Sequence, residues 1–157
     1  MTAQNRLWFA ARCLTAGGVF LAAAGVFHFF AAPHIAPILR RVVDANTFAF
    51  LEPIVSFTFL LNAVLLLPLS FTTLYSAAGV RRGERWAWGI GIANALTVIA
   101  LPCLLVYSMG IGYFARAPLF LAGAASITAA GLLMVLPLVW VRRDILPPSG
   151  NTASRRP

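Results

Sequence analysis

"RAPLFLAGAASITAAGLLMVLPLVWVRR", residues 116–143, holds 25 consecutive uncharged residues, 117–141, closed at both ends by arginine. A helix rising about 1.5 Å per residue crosses about 30 Å of hydrocarbon in roughly 20 residues, so this run is long enough to span a bilayer. Three further uncharged runs, 13–32, 53–79 and 86–115, meet the same test. The whole chain agrees with them. Of 157 residues, 61% are hydrophobic and 10% charged, with a mean hydropathy of +0.86, whereas a soluble domain carries about 25% charged residues. The expected fold is all-α: a polytopic membrane protein with a four-transmembrane-helix bundle over 1–146. The expected spans are approximately 11–32, 53–78, 86–109 and 117–141, followed by a disordered tail over 147–157. No length is left for a soluble domain.

All 12 basic residues are arginine. Four spans put the N-terminus, the second loop and the tail on one side, with Arg6, Arg12, Arg81, Arg82, Arg85, Arg142, Arg143, Arg155 and Arg156; the other side has Arg40, Arg41 and Arg116. Short loops rich in arginine stay in the cytoplasm, so both termini are expected there, in a plasma (inner) membrane. The net charge of +8 then reads as topology and attraction to anionic lipid, and no nucleic-acid partner is expected. A cleaved signal peptide fits poorly, because the first apolar run continues to Ala32. Lipoprotein processing at Cys13 is opposed by Arg12, where a small residue is required.

Cys13 and Cys103 are expected about 20 Å or more apart in depth, beyond the roughly 7 Å between alpha carbons that a disulfide tolerates. Each reads as an apolar packing residue. Small residues let helices approach closely in lipid. Inward stripes are expected at Gly17, Leu21, Ala24, Gly25 and His28 in helix 1. In helix 3 the stripe is Gly91, Asn94, Thr97, Leu101 and Ser108, and in helix 4 it is Ala122, Gly123, Ser126 and Ala130. Pro68, Pro102 and Pro137 each remove a backbone donor and are expected to kink their helices. In "GVRRGERWAWG", residues 79–89, the arginines, Trp86 and Trp88 read as interfacial anchors, with Glu84 paired locally.

Candidate chemistry gathers in "GVFHFFAAPHIAPILRRVVDANTFAFLEP", residues 25–53. Ile35, Ile38, Leu39, Val42 and Val43 follow helical spacing, with Pro37 suited to a first turn. This predicts a short amphipathic interfacial helix over 36–45 between helices 1 and 2, with Arg40 and Arg41 contacting lipid head groups and pairing with Asp44. A helical break is expected at Pro53, since residues 46–79 as one helix would be about 50 Å long and the residue before proline disfavours the α conformation. Glu52 would then sit at the outer interface close to His28. Ionisable groups at membrane depth are costly and are functional candidates by default. His28 and Glu52, with Tyr107 as a third member, are therefore the ligand-binding candidates; His34, Tyr113 and Arg116 rank below them as exposed loop residues.

No catalytic residue is assigned, and neither a metal site nor a cofactor is expected. His28 and His34 are six apart across a proline and cannot clamp one haem, the thiols are misplaced for zinc, and no phosphate loop or nucleophile elbow occurs. "GVFHFF" ending helix 1, "FLEP" opening helix 2 and "RRGERWAW" before helix 3 together resemble small four-helix bacterial inner-membrane proteins of a DoxX-like kind. The resemblance implies a four-helix bundle, sometimes an accessory subunit of a redox complex, and carries over no catalytic residues. The functional expectation is a protein that acts by binding. It would be an accessory subunit of a membrane complex, or bind a lipid-like or quinone-like molecule in its outer half; homo-oligomers are compatible with either. The alternative is a membrane enzyme or proton-coupled carrier using His28 and Glu52.

Overall fold

The computed structural model describes residues 1–41, 43–112 and 118–146. The helices are α1 (Ala3–Leu39), α2 (Ala45–Arg81), α3 (Arg85–Met109), α4 (Pro118–Trp140) and the short α5 (Arg142–Ile145); no strand occurs among the described residues. The first four are long and apolar enough to cross a membrane, so the protein is all-α and built as a multi-pass membrane protein. The chain forms two compact units, one of Met1–Gly17 with the residues from Thr72 onward, the other Gly18–Phe71.

The first unit is a four-helix bundle of the two ends of α1 and α2 with α3 and α4. Its core contains Leu14, Val80, Val98, Met134, Leu138 and Val141, with Ala10, Ala87 and Ala95 filling the narrow places; all are fully buried. Glycine sets the spacing. A Cβ on Gly17 would come 2.5 Å from Met134 Cγ, and one on Gly131 would come 2.5 Å from Ile99 Cγ1, so these helices pack backbone to side chain as lipid-embedded helices do. At the α2–α3 turn, Gly83 N–H bonds Val80 O and Glu84 N–H bonds Gly79 O. This is a Schellman closure, and it requires the left-handed residue that Gly83 supplies at φ 75°.

Hydrogen bonds reinforce the packing. Asn94 Nδ2 donates at 3.0 Å to the hydroxyls of both Thr72 and Thr73. Trp88 Nε1 donates at 2.9 Å to Leu138 O, one of the last-turn carbonyls that a helix cannot satisfy within itself. Trp88 is thus tied to α4, a role beyond the interfacial anchor expected of it. The expected stripes shift in detail: Thr97, Ser108, Ala122, Gly123 and Ser126 are exposed. The Thr97 and Ser126 hydroxyls bond the carbonyls four residues back, Ala93 and Ala122. The covered sets are Gly91, Ala95, Val98 and Pro102 on α3, and Ala130, Gly131, Met134 and Leu138 on α4. Cys13 is buried and Cys103 exposed, both free, so only Cys13 is a packing residue.

The second unit is a hairpin of the rest of α1 against the rest of α2. The stripe from Leu21 through Gly25 and His28 continues at Ala32, Ile35 and Leu39, in steps of four and three, each residue at least partly covered. This corrects the interfacial helix expected over 36–45. Residues 36–39 are the last turn of α1, and α2 begins at Ala45; the apolar spacing that suggested a new helix is the old one carried through Pro33 and Pro37, with Ile38 turned out at 60% exposure. Val42 lies outside the described residues. The break at Pro53 is likewise absent, because α2 runs unbroken through Pro53 and Pro68. A proline costs one backbone bond, and inside a helix that already has its other bonds this is less than the cost of exposing several backbone groups to lipid.

Candidate functional site

His28 sits midway along α1 of the hairpin, partly covered. Its Nδ1 lies 2.9 Å from Ala24 O. A carbonyl can only accept, so Nδ1 carries the proton and, in the neutral ring, Nε2 is left as an acceptor. No partner for Nε2 occurs among the described residues. The ring lies 5.3 Å from that of Phe59 on α2, tilted by 35°, and 5.9 Å from Phe27 edge-on. The result is an imidazole acceptor on an aromatic shelf.

Glu52 is elsewhere in the hairpin. Its carboxylate accepts a 3.3 Å hydrogen bond from Ser56 Oγ, on its own helix. The contacts between α1 and α2 explain the separation: Gly18 meets Ser70, Gly25 meets Leu66 and Leu67, and His28 meets Phe59. Seven residues of helix, about 10 Å, separate Glu52 from the level of Phe59. The expected neighbourhood of His28 and Glu52 therefore does not form. It assumed that helix 1 ends near Ala32, whereas α1 continues to Leu39 and moves the turn two helical turns farther along the chain. Tyr107, near the end of α3, is 90% exposed and belongs to the other unit.

At the hairpin tip, Asp44 has a different role from the one expected. Its carboxylate accepts from Asn46 N–H and Thr47 N–H at 3.0 Å each and from the Thr47 hydroxyl at 2.6 Å, which is an N-cap of α2. These bonds hold its pKa below the ordinary carboxylate range. The spacing to Arg40 and Arg41 suggested ion pairing, but donors from the helix start surround the carboxylate instead. Arg40 lies over the Phe48 ring at 4.8 Å, and Arg41 is exposed. His34 is exposed on the last turns of α1; Tyr113, Arg116 and the tail from 147 lie outside the described residues.

The charged contact that sequence reasoning missed joins the ends of the first unit. Arg6 forks onto Asp144, with Nε to Oδ2 at 2.9 Å and Nη2 to Oδ1 at 2.7 Å, lowering the Asp144 pKa chiefly through the hydrogen bonds. Its signal was available. Asp144 is the only acid beyond Glu84, and four spans return it to the side that carries Arg6. The local pair expected at the second loop does form, Arg82 to Glu84 at 2.6 Å, again lowering the carboxylate pKa through the Arg82 hydrogen bond first. Among the described residues no three of His, Cys, Asp and Glu gather as metal ligands.

No family model, curated protein or solved structure matches the chain. Function must be argued from the residues themselves.

Proposed function

We propose that the protein acts by binding within a bacterial plasma membrane, with both termini cytoplasmic, and that its ligand is a lipid-like or quinone-like molecule seated at His28 in the outer half. The observation that carries this reading is the free Nε2 acceptor beside Phe59 and Phe27. A molecule offering an apolar body and one O–H donor, such as a quinol or a lipid head-group hydroxyl, matches both features. The carrier or enzyme reading needs His28 and Glu52 to exchange a proton, and the separate hydrogen bonds of the two residues give it no support. Native mass spectrometry from mild detergent tests the proposal. A stoichiometric ligand retained by the wild type and by Glu52→Gln, and lost in His28→Ala, is expected; equal retention in His28→Ala overturns it.

A second reading is an accessory subunit of a larger membrane complex, as the DoxX-like resemblance implies. Phe27, Phe29, Phe30, Phe50 and Phe57 are all more than half exposed on the hairpin, apolar surface that either lipid or partner helices can cover. Copurification of a discrete larger assembly that survives both His28→Ala and Glu52→Gln, with no small ligand in the spectrum, favours this reading over the first.

A further inference from the structure

The end of the first unit where the start of α1 meets α5 carries a cleft that is independent of the His28 reading. It has a volume of about 490 Å³ and is lined by Arg6, Val139, Trp140, Arg142, Arg143 and Asp144. Asp144 is already occupied by the Arg6 fork, while Arg142 and Arg143 are exposed and have no carboxylate partner among the described ion pairs. Three guanidinium groups against one carboxylate leave the cleft with an excess of two positive charges. Its other wall is apolar: Val139 and Trp140 are 59% and 51% exposed, they end the α4 span, and Trp140 is steadied edge-on by Phe9 at 6.3 Å.

We propose that this cleft is a binding site for an anionic phospholipid. Arg142 and Arg143 would hold the phosphodiester, since guanidinium presents a planar fork of donors matched to phosphate oxygens. Trp140 stands at the depth where indole rings favour the head-group boundary, and Val139 continues the apolar surface along which an acyl chain runs. The Arg6–Asp144 fork does the positioning. It ties α5 to the start of α1 and so keeps both free arginines at the mouth of the cleft instead of in the solvent beyond it. Free phosphate would satisfy the arginines but has no use for the exposed Val139 and Trp140, which is why the lipid is the better match.

The test is lipid retention by native mass spectrometry after exchange into mild detergent with equal phosphatidylglycerol and phosphatidylcholine. The wild type is expected to retain phosphatidylglycerol selectively. Arg142→Gln with Arg143→Gln should weaken retention about thirtyfold, two arginine contacts at about 1 kcal/mol each, while Arg40→Gln with Arg41→Gln, the same charge change at the hairpin tip, should lower it far less. Circular dichroism establishes that both pairs are folded, and Trp140→Ala, with every charge kept, should also lower retention. Equal losses in the two double variants, or no selectivity over phosphatidylcholine, would overturn the site. Displacement of phosphatidylglycerol by millimolar inorganic phosphate would overturn the choice of a lipid.

Discussion

The two units of this chain share α1 and α2 and draw on the same kinds of apolar residue, yet they are held together differently. In the first, helices are joined across their gaps by Asn94 with Thr72 and Thr73, by Trp88 with the Leu138 carbonyl, and by Arg6 with Asp144. In the hairpin, Ser70 Oγ donates to Gly18 O at its base, and His28, Glu52 and Thr58 bond their own helix. Lipid gives no hydrophobic push between helices, so close packing and polar bonds must do the joining. The first unit therefore carries polar ties between helices, whereas the polar side chains of His28, Glu52 and Thr58 in the hairpin are engaged within their own helices.

Overpacking should probe the close-packed half of this contrast most sharply. Gly79→Val would drive a side chain into Ala87, Glu84 and Trp86. A loss of about 3 kcal/mol is expected, the upper end of the overpacking range, read as a fall in thermal unfolding temperature in detergent. Gly123→Ala is the counterpart, since a Cβ there meets nothing within 4 Å, and a gain of about 0.5–1 kcal/mol is expected from helix propensity alone. If both glycines tolerate the change equally, the first unit is not close-packed.

Polar bonds come next. Asn94→Ala should cost about 1–2 kcal/mol, the range for interhelical bonds in membranes, and leave Thr72 and Thr73 without the amide. His28→Phe, which keeps a ring beside Phe59 and gives up only a bond within α1, should change stability by less than about 0.5 kcal/mol. Parity between the two variants would erase the distinction between the units.

The smallest effect concerns pH. Asp144 has its pKa depressed by Arg6, so the pair contributes stability that is present above the unfolded carboxyl value of about 3.9 and is lost as pH falls through the lower folded value. Acid unfolding curves of the wild type and Asp144→Asn should differ at neutral pH and converge in strong acid. Both partners are partly exposed, so salt should also narrow the gap. Curves that stay apart in acid would assign the effect to packing of α5.

The four spans were legible because uncharged runs of that length are rare in chains that fold in water. Asn94 was legible as a bundle-facing amide on similar grounds, being a polar group that needs a partner in lipid. The neighbours assigned to its stripe were not, since Thr97 and Ser108 lie off the covered line of Gly91, Ala95 and Val98 by a fraction of a helical turn, and their hydroxyls can bond the preceding turn of backbone. At the hairpin tip the prolines mislead. Local rules weigh Pro37 and Pro53 as helix boundaries, whereas the continuous stripe from Leu21 to Leu39 and the Asp44 cap place the boundary between them. That displacement separates His28 from Glu52. The Arg6 contact with Asp144 spans 138 positions and follows from topology, not from any local pattern.

The length of α1 and α2 has a consequence for how the bilayer meets the protein. Each has 37 residues, about 55 Å of helix against about 30 Å of hydrocarbon. Even a 40° tilt, at the edge of what membrane helices show, leaves about 42 Å along the bilayer normal. About 12 Å of mismatch must therefore overhang the hydrocarbon. Residues suited to an aqueous overhang stand at both ends of the pair: Asn5, Arg6, Arg12 and Arg81 at one, and His34, Arg40, Arg41, Asp44, Asn46, Thr47 and Glu52 at the other. The excess of helix over hydrocarbon thus leaves polar groups at both ends of the pair room to reach water.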